Sequence, residues 1–541
     1  MNIVDNISFL MIYPCWFSIK VTNYVENWFF WVLFRFSFQQ MITLQVNMIM
    51  KLLRYYFFVM VLLLCVIKAD AQHFGTIHGI DTTIQLLDTT RQARWAKSEQ
   101  LDSVPRFARI TQEPKREKKF VRAGSEWLIA NIIPATFNRF ITKDPYSYIS
   151  FKNFINNQRV SAWDWDDNQF TTNHLDHPFH GQLYFNAFRS NGYNFYESSM
   201  ATLAGSYLWE TGGETQAPSV NDLVNTTYGG IILGEISHRI SRNILGRGSR
   251  NPSSRVSNEI GAFFVNPVNG LNRLLDGKWG KVNEYNAVDS SVIWAEVNIG
   301  VRRFDAREGD ILEKGKNGSY GRLQLWYSNG PENIKRPFDQ FYMNLEFGKG
   351  DSTFINAVNV HALLYGSKFF KTKRGDHFGI LSANYDFYNN DAFFYGAQSL
   401  MYNWNSEFRY KKQNRLNMSV SGGAILLAGV PDPYLLYGAS RNYNYGSGAG
   451  YRFRGELSLL NRFLITGDYN GALFYTISGN DSYYILHAGT LEANLRLIKN
   501  FSLNVSSGYF ALEGHFEDEQ YADFNRSFPS GRISIGYNVR F

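Results

Sequence analysis

The sequence predicts an all-β transmembrane barrel of about twelve antiparallel strands, preceded by an α-helical module. Three observations carry this reading. From Ser291 onward, apolar and polar residues alternate in segments of about ten residues, the length a tilted strand needs to cross a bilayer. The last segment puts Ile533, Ile535, Tyr537, Val539 and Phe541 on one face, and Ser534, Gly536, Asn538 and Arg540 on the other. Aromatic residues make up 16% of the chain, yet mean hydropathy is only −0.27. That combination suits strands alternating between lipid and lumen, and it excludes a bundle of membrane-spanning helices.

At 541 residues the chain is long enough for more than one domain. Met50 to Arg54 forms a short basic stretch, Tyr55 to Ile67 an apolar one, and Ala69-Asp70-Ala71 a cleavage pattern before Gln72. Residues 50–71 therefore read as a secretory signal peptide, and residues 1–49 as a start-site artefact. The apolar run from Trp28 to Phe36 is too short and broken for a membrane span. Cys15 and Cys65 both precede the cleavage pattern, so the mature chain is expected to lack disulfides and thiol chemistry. Residues 72–119 are polar and mixed in charge, as in a periplasmic linker. A net charge of +7 with no basic helix or aromatic-basic motif gives no nucleic-acid partner.

Residues 120–280 form the helical module. Phe120 to Phe140 reads as a helix ending near Pro134, because proline disfavours helix in the residue before it. A short helix is expected within Ser147 to Asn157. Trp163-Asp164-Trp165-Asp166-Asp167-Asn168 reads as a turn; it lacks the glycine and distal glutamate of an EF-hand calcium loop. His174, His177 and His180 are three apart, but Pro178 interrupts them and no H-E-x-x-H is present, so no metal is assigned. A helix is expected to begin at Pro178 and stop at Asn191-Gly192. Phe195 to Glu210 places Tyr196, Met200, Leu203 and Tyr207 at helical spacing, with Ala201 and Gly205 on a slim opposite side. Ser219 is a natural N-cap for the next helix, in which Thr226, Gly230 and Gly234 recur every fourth position and allow close approach of another backbone. A further helix pair, broken at Pro267, is expected between Asn258 and Leu275.

The barrel occupies residues 290–541. Its expected strands are Val292–Val301, Arg322–Tyr327, Phe341–Phe347, Phe354–Leu364, Gly379–Tyr388, Asn405–Lys411, Leu416–Leu427, Tyr451–Leu460, Phe463–Tyr475, Tyr484–Ile498, Phe501–Phe510 and Arg532–Phe541. Pro431 to Ser447 and Glu517 to Phe528 suit external loops. Closure is required because every strand edge must be paired in lipid. The terminal strand ending at Phe541 resembles the signal read by the barrel assembly machinery of Gram-negative bacteria. That resemblance makes the machinery and outer-membrane lipid the expected partners.

Two kinds of function fit. The first is a structural, binding or transport barrel whose helices plug the lumen or dock on its periplasmic mouth. The second is a membrane-embedded enzyme modifying lipid or lipopolysaccharide. Its candidate acid/base residues are His177, Glu197, Glu210, Asp222 and Glu235, since carboxylates among apolar helices are costly unless paired or used. Arg189, Asn186 and Asn225 are candidate ligand-binding residues, Arg189 for a phosphate or carboxylate. No G-x-S-x-G elbow and no nucleotide loop occur, so no cofactor is expected.

Trp163-Asp164-Trp165-Asp166, His177-Pro178, Gly181, Asn186, Arg189-Ser190-Asn191-Gly192, Glu197-Ser198, Trp209-Glu210, Glu214, Pro218-Ser219, Asp222-Leu223, Asn225-Thr226 and Gly234-Glu235 occur in that order. This stretch resembles a bacterial family, domain of unknown function 3943, found in predicted outer-membrane proteins. The resemblance covers about a fifth of the chain and implies an outer-membrane setting but no activity.

Overall fold

The computed structural model describes residues 117–540, with breaks at 251, 282–290, 305–314, 330–333, 349–353, 373, 390–393, 411–413, 439 and 499. The expectations for residues 1–49, 50–71 and 72–116, and for Phe541, lie outside the described residues.

Eight α-helices precede the strands among the described residues: α1 (Phe120–Thr136), α2 (Phe151–Asn157), α3 (His177–Arg189), α4 (Phe195–Gly212), α5 (Val220–Val224), α6 (Gly230–Arg250), α7 (Arg255–Val265) and α8 (Pro267–Leu275). None is long and apolar enough to cross a membrane. Several of their limits follow directly from sequence. Ser150 caps α2 and Ser219 caps α5, each accepting a backbone N–H of the first turn. Asn194 and Glu197 form a capping box at α4.

Two prolines depart from expectation in the same way. Pro134 lies inside α1, which continues to Thr136 and then a π-helical turn, Phe137–Thr142. Pro178 stands in the first turn of α3, as expected, but it does not open the helical run, because a π-helical turn, Thr172–Asp176, already leads into α3. Proline has no N–H for the carbonyl four residues back. Another element supplies the missing donor in each case. Ala130 O is 2.9 Å from the His180 ring, and His174 O accepts the hydroxyl of Tyr385 from the barrel. The local rule therefore gives way to tertiary hydrogen bonds.

The glycine stripe sets the central crossing of α3 and α6. A Cβ on Gly181 would lie 1.9 Å from Thr226 O and 2.9 Å from Gly230 Cα. A Cβ on Gly230 would lie 2.6 Å from Gly181 Cα. Backbone meets backbone here, so no side chain can move aside. We predict that Gly181→Val separates the helices at a cost of about 3 kcal/mol, the upper range for overpacking. Hydrogen exchange should then rise in α3 and α6 while the barrel stays protected; unchanged protection in both helices would refute this.

The strands are β1 (Val292–Phe304), β2 (Lys316–Ser328), β3 (Gln340–Gly348), β4 (Ile355–Lys371), β5 (Gly375–Asn389), β6 (Phe394–Tyr410), β7 (Asn414–Pro431), β8 (Tyr443–Leu459), β9 (Phe463–Ser478), β10 (Ser482–Arg496), β11 (Phe501–Phe516) and β12 (Phe524–Arg540). Each pairs with its sequence neighbours, and β1 pairs antiparallel with β12 to close the barrel. All twelve expected strands are present. Most are longer than expected, because ladders continue through polar ends that alternation alone reads as loop. Thus β12 begins at Phe524 and β8 at Tyr443, inside the two segments expected to be external loops.

Strand parity separates two faces of the wall. Asn359 and His361 of β4 point into a lumen whose lining comes from all twelve strands. Val358, Val360 and Ala362 point the other way. Over much of β1 and β6–β12 the outward side chains are exposed and apolar, among them Ile299, Trp404, Val420, Phe453, Ile465, Val505 and Ile533. A closed barrel with an apolar outer wall is the form that strands take in lipid. The protein is an outer-membrane barrel.

The outward face is covered over much of β2–β5 and at one end of β1 and β6–β8, where Ile293, Leu427, Tyr443 and Tyr445 are buried. Leu325, Phe341, Met343, Val358, Val360, Ala362, Ala383, Tyr385 and Phe387 form one core with Phe170, Ile232 and Ile236 of the helical module. His174 sits where a Cβ on Gly396 or Gly429 would be, 2.6 and 2.4 Å from its ring nitrogens. Where the sequence suggested a plug in the lumen or a cap on the periplasmic mouth, the described helices lie against the outside of the wall. The physical reason is that this part of the wall is apolar on its outward face and polar within, so an apolar helix stripe matches the outside.

Candidate functional site

Two groupings of polar side chains can do chemistry or binding. The first lies in the helical module. The bridge between Asp164 and Ser219 ties the Trp-Asp turn to the start of α5, and Asp164 N donates to Pro218 O at 2.9 Å. Asp166, His177, Glu210, Glu214 and Asp222 come together there. His177 Nε2 is 3.6 Å from Asp222 Oδ1, and its Nδ1 is 3.3 Å from Thr226 Oγ1. Glu210 accepts Ser219 N–H at 2.9 Å, and Glu214 accepts the Trp209 indole N–H at 3.1 Å.

Burial dominates the electrostatics. It pushes Glu210 and Asp222 well above the usual carboxylate range, helped in Glu210 by the Asp222 charge and in Asp222 by the Asp166 charge. Burial raises Glu214 to about 7, and it lowers His177 below the ordinary imidazole value. These carboxyls therefore hold protons at pH values where free carboxylates do not. Such a grouping can donate and exchange protons. Among the described residues, no three His, Cys, Asp or Glu side chains are placed to hold a metal ion.

Glu214 gives a pH prediction. Its folded pKa lies above its unfolded value, so its contribution is fully present below about pH 4.5 and lost as pH rises through about 7. The Trp209 emission should shift across pH 6–8 in the wild type. In Glu214→Gln that shift should shrink by at least half; an unchanged titration would show that another group reports it.

The remaining sequence candidates are placed elsewhere. Glu235 is fully buried and joins two guanidiniums, from Arg189 at 2.8 and 3.1 Å and from Arg239 at 2.7 Å. Arg239 continues to Asp339 and Pro337 O, next to β3. Asn186 donates to Ser237 at 2.9 Å and accepts from Asn266 at 2.8 Å. Asn225 accepts from Gln398 on the outer wall at 2.5 Å. Glu197 is the half of the capping box that also pairs with Lys118 at 2.6 Å. Arg189, Glu235, Asn186, Asn225 and Glu197 are thus each engaged in holding helices to one another or to the barrel. His177, Glu210 and Asp222 are brought together. Sequence reasoning missed Asp166 and Glu214 as members; both stand in the stretch that carries the family resemblance.

The second grouping lines the lumen and was not visible in the sequence beyond strand alternation. Arg322 reaches from β2 to Glu492 of β10 at 2.7 Å. Glu346 of β3 takes Arg302 of β1 at 3.3 Å and Arg532 of β12 at 2.7 Å. Arg452 of β8 meets Asp468 of β9 and reaches across to the His361 ring of β4 at 2.6 Å. Between these bridges is a cavity of about 250 Å³. Toward the ends of the strands at the β9–β10 and β11–β12 turns the lumen turns apolar, with Tyr395, Phe474, Tyr484, Leu512 and Phe528 in contact.

Residues 162–268 match the family model described as Domain of unknown function (DUF3943). No curated protein matches the chain. The solved structures similar to it include an outer membrane channel from Pseudomonas putida F1, at 12% identity and a TM-score of 0.29, covering 46% of this chain and 95% of that one. The NanC porin is similar at 10% identity and a TM-score of 0.26, covering 44% and 98%. The channel DcaP of Acinetobacter baumannii gives 8% identity and 0.23, covering 46% and 97%. The chain is an outer-membrane β-barrel whose residues 162–268, within the helical module on the barrel's outer wall, match the DUF3943 model.

Proposed function

We propose that the barrel is a narrow passage for small polar solutes, with the helical domain bracing its wall from outside. One observation carries this reading: all twelve strands line the lumen, and eight of them place arginines or carboxylates around one small cavity, where Arg322 meets Glu492 and Arg532 meets Glu346. Side chains of both signs in a confined, partly desolvated space favour a small zwitterionic or strongly polar solute over a large or apolar one. The apolar cluster at one end, from β6, β7 and β9–β12, acts as the constriction.

The test is single-channel recording of the purified protein in planar bilayers. Discrete small conductance steps, reduced by millimolar amino acids or other small zwitterions, are the expected result. An absence of steps in the wild type and also in lumen-widened variants would sink the passage.

A further inference from the structure

The outward surface of the helical module has the wrong polarity for water. In α4 the exposed residues are Asn194 at its cap and then Tyr196, Met200, Leu203, Ala204 and Tyr207, none of them charged. The polar side chains Ser198, Thr202, Ser206 and Glu210 are buried on its inner face. In α1 and the π-helical turn after it, no charged residue between Val121 and Ile141 is exposed. Leu128, Ile129, Ile132, Ile133 and Phe140 are exposed there, Ile133 at 63%. Exposed charges return at the two ends of this stretch, at Lys118 and Lys143. A helix in water buries its apolar stripe and presents polar groups. α1 and α4 do the reverse, with exposed charges of the module elsewhere, as at Lys152 and Arg159, and the inner helices α3 and α6 cross at glycines, as helices in a bilayer do.

We propose that this outer face lies in the acyl chains of the outer membrane, so that the helical domain is embedded beside the barrel. Continuity with the lipid-facing wall names the occupant. The module covers much of the outward face of β2–β5 and one end of β1 and β6–β8, and the uncovered part of the wall presents apolar side chains. The domain therefore stands where lipid would otherwise touch the wall, and its own outward side chains continue the apolar surface. Short helices are tolerated at that depth because the wall and neighbouring helices satisfy their backbone ends.

The test uses the full chain with Cys15→Ser and Cys65→Ser, carrying one added cysteine at a time. Leu203→Cys and Ile132→Cys report the helical face. Ile533→Cys is the lipid-facing control and Glu519→Cys, in the exposed β11–β12 turn, the aqueous control. Each is labelled with NBD in vesicles of phosphatidylethanolamine and phosphatidylglycerol. Phospholipid brominated on its acyl chains should quench the Leu203, Ile132 and Ile533 positions at least twofold and spare Glu519; aqueous iodide should do the opposite. Iodide quenching at both helical positions would overturn the proposal. So would protection from both quenchers, which would place protein over the face, and a disulfide between two Leu203→Cys chains would identify that protein as a second copy. Conductance reads the lumen alone, so this result and that of the passage can fail separately.

Discussion

Glu235→Ala should release the helical domain from the barrel without preventing barrel insertion. The Glu235 carboxylate is fully buried and faces both Arg189 and Arg239. Removing it leaves two buried guanidinium charges without the anion they were folded around. Breaking a buried pair in this way costs about 3–5 kcal/mol. The loss falls on one unit, because Arg239 also bonds Asp339 and Pro337 O beside the wall. The expected result is rapid proteolysis within residues 117–281, with a barrel that still shows the heat-modifiable mobility of the folded form. Glu235→Gln keeps the shape and some hydrogen bonds, so its effect should be smaller but in the same direction. A domain as protease-resistant as wild type in Glu235→Ala would show that the arginines find other anions and that the network is not what holds the helices in place. Loss of barrel insertion as well would show that the two parts fold as one cooperative unit.

The second large effect is on conductance. Phe474→Ala with Tyr484→Ala removes two fully buried rings that stack 5.7 Å apart inside the barrel. Opening an apolar constriction lowers the barrier to hydrated ions. Conductance should rise severalfold over wild type, with the barrel still inserted. Arg322→Ala with Glu492→Ala, which removes a bridge across the lumen, should instead change ion selectivity with a smaller change in conductance. Two inserted variants with wild-type conductance would mean that neither the apolar cluster nor the bridge controls passage. Core truncations of this size cost about 3–5 kcal/mol each, so folded mobility must be checked before any current is interpreted.

Much of the barrel was legible because its signal is local. Period-two alternation fixes the side on which each residue falls, and all twelve strands follow from it. The ends were less legible, as at Tyr443 and Phe524, because ladder hydrogen bonds continue where polar residues break the alternation. The caps at Ser219 and Ser150 were readable for the same local reason. Pro134 and Pro178 misled because their freed carbonyls bond to His180 and Tyr385, residues distant in sequence or in another element.

The candidate residues divide along the same line. Carboxylates among apolar helices announce that they must be paired or used, and sequence singled out Glu210, Asp222 and Glu235 on that ground. It did not distinguish the two outcomes. Glu235 is neutralised by two arginines, whereas Glu210 and Asp222 stand beside Glu214, Asp166 and His177, with burial keeping protons on them. The row of Tyr196, Met200, Leu203 and Tyr207 was equally visible as a helix face, but periodicity is symmetric with respect to inside and outside.

By itself, then, the sequence determined about twelve strands, the alternation of their residues between two faces, the helical nature of the module and the residues that could not stay unpaired. Each of these follows from the period of side-chain direction or from the cost of burying charge. Only the tertiary structure decided which side of the wall the helices occupy, which carboxylates share a site, and which charges meet across the lumen. Those outcomes depend on contacts between residues as far as 275 positions apart, as Asn168 and Tyr443 are, and no local pattern encodes the direction from which a partner arrives.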